Sequence, residues 1–160
     1  MYFRRIGGPS AVPDARIVFH LCLFSIFSVN YREVFLLQKL VSTEWLESNL
    51  NDSSVRIIEV ASHPDDSSYR EGHVPGAVWW YWKDMFWHET DREFPTPESI
   101  AQRLGRAGIS PETTLVLYGD PVQFGTYAFW ALSMCGHPDL RILDGGKVRW
   151  TAEKRFVSKK

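Results

Sequence analysis

The feature that most restricts the fold is an alternation of two sequence patterns. From Leu40 onward, short β-branched runs take turns with stretches whose apolar residues fall at helical spacing. Ser42 can cap a helix over residues 43–50, with Trp45, Leu46 and Leu50 on its apolar side and Glu44 in the first turn, where the helix dipole favours an acid. Residues 55–60 are rich enough in Val and Ile for a buried strand, which ends in a polar loop over 63–68. A second strand is predicted over 77–79. Thr96, Pro97 and Glu98 form a helix start, and Ile100, Ala101, Leu104 and Ala107 carry that helix to Gly108. Residues 113–118 and 140–143 read as two more strands. Between them Tyr127, Ala128, Ala131, Met134 and Cys135, with Trp130 beside them, mark a helix that starts near Gly125 and stops at Gly136, before Pro138. Strands and helices in this rhythm predict an α/β fold with a parallel sheet flanked by helices, in one domain.

A chain of 160 residues has room for one such domain, and 44% hydrophobic residues supply its core. Eighteen basic against nineteen acidic residues leave a net charge of -1, so nothing drives binding to nucleic acid. Cys22 and Cys135 make neither a disulfide framework nor a thiolate metal site, and a reducing cytoplasm is the default location. Residues 1–38 read as an extension outside the domain. Their apolar run over 17–29 is shorter than the roughly 20 residues of a membrane span. A signal peptide, and with it export, is the alternative, but no small-x-small cleavage site follows. The domain is expected over 39–155 and a basic tail over 156–160.

In a parallel sheet, ligands bind at the carboxyl ends of strands, where helix N-termini offer free N–H groups. The loop to examine is Gly119, Asp120, Pro121, Val122, Gln123 and Phe124, leading to Gly125. A ring of amides there can hold an anion or a persulfide. This ring is a poor one, because Pro121 donates nothing and Asp120 adds negative charge.

Two motifs frame this loop. Gly72-His73-Val74-Pro75-Gly76-Ala77 resembles the Gly-His-(Ile/Val)-Pro-Gly-Ala signature of rhodanese-type sulfurtransferases, and Asp144-Gly145-Gly146 with Trp150 resembles their Asp-Gly-Gly-x-x-x-Trp signature. The resemblance runs over residues 40–155. It implies a rhodanese-like three-layer sandwich and a chemistry in which a loop cysteine takes sulfane sulfur from a donor such as thiosulfate and passes it to a thiophilic acceptor such as cyanide. In active members the nucleophilic Cys follows the strand-end Tyr; here Gly119 follows Tyr118. The usual Asp-x-Arg after the first strand is also replaced, by Glu59-Val60-Ala61. Cys135 lies about 15 Å along the helix at 1.5 Å per residue, on its apolar stripe, and reads as a core cysteine. The pattern resembles the cysteine-lacking N-terminal domain of tandem-domain thiosulfate sulfurtransferases. That likeness implies an isolated chain without catalytic activity, whose partner is a second, catalytic rhodanese domain. A free-standing regulatory module that binds an anion or a protein partner is the alternative.

His73 is expected to satisfy buried polar groups within a turn, not to act as a catalyst. The aromatic stretch Trp79, Trp80, Tyr81 and Trp82, with Phe86 and Trp87, is expected to send half its side chains into the core and to leave the rest for docking. His88, Glu89 and Asp91 lack regular ligand spacing and read as a solvated loop, so neither a metal nor another cofactor is expected.

Overall fold

The computed structural model describes residues 39–87 and 93–159. The segment 1–38 and the His88, Glu89, Asp91 group therefore lie outside the described residues. In chain order the elements are β1 (Leu40–Val41), α1 (Thr43–Ser48), β2 (Val55–Ala61), α2 (Ser67–Glu71), β3 (Ala77–Tyr81), α3 (Trp82–Phe86), α4 (Pro97–Arg106), β4 (Thr114–Asp120), α5 (Gln123–Met134), β5 (Leu140–Leu143) and α6 (Gly146–Ala152).

The five strands form one sheet in the order β1-β5-β4-β2-β3, with every pair parallel. Successive residues of a strand face opposite sides, so each buried strand feeds two cores. Ile58, Val60, Leu115 and Leu117 face α3, α4 and α5, where they meet Phe86, Ile100, Leu104, Ala128 and Leu132. Ile57, Val116, Tyr118 and Leu143 face α1, α2 and α6, where they meet Leu46, Tyr69 and Trp150. This is the expected three-layer α/β sandwich, and full burial of each such aliphatic side chain contributes about 1.5–3 kcal/mol.

The predicted caps are formed. Ser42 Oγ accepts from Trp45 N at 3.1 Å, and Thr96 Oγ1 accepts from Ser99 N at 3.3 Å. Gly136 ends α5 with φ 83°.

Several boundaries differ from expectation. The polar loop over 63–68 already contains the start of α2, because Asp65 accepts from both Ser67 N (3.1 Å) and Ser67 Oγ (2.9 Å) and sets up the first turn. The strand expected at 77–79 continues to Tyr81, held by its ladder with β2, and the chain turns into α3 at Trp82. Trp80 and Phe86 are buried, and Trp82 packs against Phe124 and Tyr127 of α5, so less of this stretch is left for docking than its composition suggests.

The basic tail expected from residue 156 lies against the fold for its first three residues. Trp150 Nε1 donates to Phe156 O at 2.8 Å, Val157 packs in the second core, and Ser158 pairs through both backbone bonds with His73 at 3.0 Å.

Candidate functional site

The strand order reverses between β2 and β4. β2 leads through α2 to β3 on one side, and β4 leads through α5 to β5 on the other. Crevices in open parallel sheets form at such a point, outside the carboxyl ends of the strands. Here it is a cleft of about 590 Å³ whose lining includes Glu59, His63, Asp65, Ser68, Trp79 and Asp120.

The loop beside this cleft is shorter than the sequence suggests. β4 keeps its register with β2 through Gly119 and Asp120, and α5 begins at Gln123, so only Pro121 and Val122 connect them. The amides of Phe124 and Gly125 are already engaged, donating to Pro121 O at 3.1 Å and Val122 O at 3.2 Å. An anion at this helix start would have to compete for them.

Gly119 is enclosed by backbone. A Cβ placed on it would stand 2.7 Å from Pro121 O and closer still to Gly125 N. Gly125 is enclosed reciprocally, since its Cβ would stand 2.8 Å from both Gly119 N and the Tyr118 carbonyl carbon. Glycine at both positions lets the first turn of α5 rest directly on the end of β4.

Beneath the loop lies a charged network. Glu59, on β2, is 1% exposed, and its two oxygens have different partners. Tyr118 Oη donates to Oε2 at 2.6 Å, and Lys147 Nζ donates to Oε1 at 3.2 Å. The same ammonium donates to Ser68 O (3.2 Å) and Oγ (3.0 Å) and stands 3.5 Å from Asp120 Oδ2, which also accepts from Ser68 Oγ at 2.7 Å. One cation from α6 thus joins β2, the end of β4 and α2. Tyr118 in turn accepts from Val74 N at 3.2 Å. Burial, reinforced by the Glu59 charge, pushes its phenol well above the ordinary value, so it stays a neutral donor.

Neither Lys147 nor Ser68 stood out in the sequence. The available signal was Glu59, an acid in the middle of a β-branched run, since a buried carboxylate requires a cation or donors.

The first motif is a packed turn. His73 is 4% exposed, its ring stacks on Tyr69 at 3.8 Å, and its Nδ1 stands 2.8 Å from Tyr69 O. A carbonyl oxygen only accepts, so Nδ1 carries the proton. Gly72 leads into this turn, and Pro75 and Gly76 (φ 77°) bring the chain into β3. In the second motif, Gly145 and Gly146 have φ of 73° and 54° and turn the chain from β5 into α6, which aims Lys147 at Glu59 and buries Trp150. Asp144 pairs with Arg149 across that turn.

A model of the rhodanese-like domain matches residues 42–153. The chain belongs to the rhodanese-like domain family.

Among curated relatives, this rhodanese-like chain is 42% identical over 117 residues to the sulfur carrier protein TtuD of Thermus thermophilus, covering 72% of the chain and 40% of the relative. It is 34% identical over 122 residues to a thiosulfate sulfurtransferase of Corynebacterium glutamicum, covering 76% and 40%. The crystal structure of the 3-mercaptopyruvate sulfotransferase SseA from Escherichia coli superposes with a TM-score of 0.67 at 22% identity, over 77% of this chain and 51% of that one. The chain spans about two-fifths of the length of these curated relatives.

Cys135 caps the far end of α5, on the rim of a small pocket of about 150 Å³ lined by Pro97, Ile100, Leu104 and Ile109. It is half-buried, and burial raises its thiol pKa. Met134, placed by spacing on the same inward stripe, is instead 61% exposed, because α5 turns Gly125, Ala128, Ala131 and Leu132 toward the sheet.

Proposed function

We propose that this rhodanese domain is the non-catalytic, N-terminal half of a thiosulfate sulfurtransferase-type protein, one that moves sulfane sulfur to a thiophilic acceptor through a cysteine carried elsewhere. The observation that carries the reading is Gly119 at the end of β4, where the family resemblance sets the nucleophile. The space a cysteine side chain would need there is filled by the backbone of Pro121 and Gly125. A persulfide carrier needs a low-pKa thiolate in a ring of free amides; Gly119, Asp120, Val122, Gln123, Phe124 and Gly125 supply no thiol, and the amides of Phe124 and Gly125 are already engaged. Cys135 is a poor substitute, with a raised thiol pKa and a place at the opposite end of α5. On this reading the domain contributes stability and one wall of a cleft shared with a catalytic domain. The alternative is a free-standing regulatory module that binds an anion or a protein partner; its anion-binding form is disfavoured by Asp120 and Glu59 beside the loop and by the engaged amides of Phe124 and Gly125.

The deciding experiment is thiosulfate-to-cyanide sulfur transfer by the purified chain, with Cys135→Ser run beside it. Background rates from both agree with the proposal. A robust rate that the substitution abolishes would overturn it.

A further inference from the structure

We draw no further inference here: the strongest candidate, the acidic cleft outside the carboxyl ends of β2 and β4, belongs to the site already described, and its carboxylates Glu59, Asp65 and Asp120 are engaged with Lys147 and the serines of α2, so that nothing among the described residues points to a ligand.

Discussion

Gly119 and Gly125 meet backbone to backbone where β4 passes into α5, and neither has room for a methyl group. A Cβ on Gly119 would stand 2.7 Å from Pro121 O, and one on Gly125 2.8 Å from Gly119 N. The obstructing atoms are main chain, so relief requires the helix to move away from the strand. Gly125→Ala is therefore expected to cost about 2–4 kcal/mol by forcing apart a close-packed contact. Urea unfolding measures it, and a change below about 0.5 kcal/mol, the range of ordinary surface substitutions, would show that the contact gives way easily.

The same contact bears on restoring a nucleophile. Gly119→Cys is expected to give a destabilised protein without sulfur transfer, because the new thiol displaces the loop instead of sitting within a ring of amides. Thiosulfate-to-cyanide transfer by the variant checks this, and turnover well above the wild-type background would contradict it.

Glu59 and Lys147 form a pair in which one partner is almost wholly buried and the other has 18% of its side chain exposed. Lys147→Met leaves the carboxylate with the Tyr118 hydroxyl alone and should cost about 3 kcal/mol, in the range seen when one member of a buried pair is removed. Adding Glu59→Gln should recover part of that loss. Chemical denaturation of the two single variants and the double variant gives the coupling, and strict additivity would mean that the ammonium acts elsewhere.

Glu153 supplies the pH dependence. Hydrogen bonds from Thr43, Arg155 and Arg149 hold its carboxyl at about 2, against an ordinary 4.5. A group whose folded pKa is depressed adds stability that is present above the unfolded value and is lost as pH falls toward the folded one. The loss should fall between pH 4.5 and about 2. Thermal midpoints across that window should drop more steeply for the native protein than for Glu153→Gln; parallel curves would show that the group is not linked to folding.

The strap over 156–158 should matter to the first motif. Ending the chain at Arg155 removes both backbone bonds between His73 and Ser158, the acceptor for Trp150 Nε1 and the Val157 contact. A loss of about 2–3 kcal/mol is expected from unmade buried hydrogen bonds and lost packing. Faster amide exchange at His73 should accompany it, and unchanged exchange there would count against the strap.

The fold was legible where side-chain pattern and backbone demand coincide. Ser42 and Thr96 cap the helices that begin beside them, β2 falls where Val and Ile cluster, and β4 and β5 fall on short, mostly apolar stretches. The short elements β1, α2 and α3 carry too little periodicity to be read. α2 begins with a local Asp65–Ser67 hydrogen bond inside a polar run, and α3 follows β3 with no break in aromatic composition. The site was half legible. The loop and both glycine motifs stand in the sequence, but the Glu59, Ser68, Asp120 and Lys147 network joins residues from four elements that only the fold brings together. Met134 shows the remaining limit. On a helix with no charged residue and apolar side chains on both sides, spacing alone does not reveal which side faces the sheet.

The pairing of Leu40 with Ile142 has a consequence for synthesis. β1 is the first of the described strands to leave the ribosome, and its place in the sheet does not exist until β5 has followed. Until then its two residues have no ladder to join, whereas β2, β3 and β4 can already associate. Domains emerge at about 5–20 residues per second, so for several seconds the leading end of the domain is exposed to chaperones and proteases while the centre of the sheet is already paired.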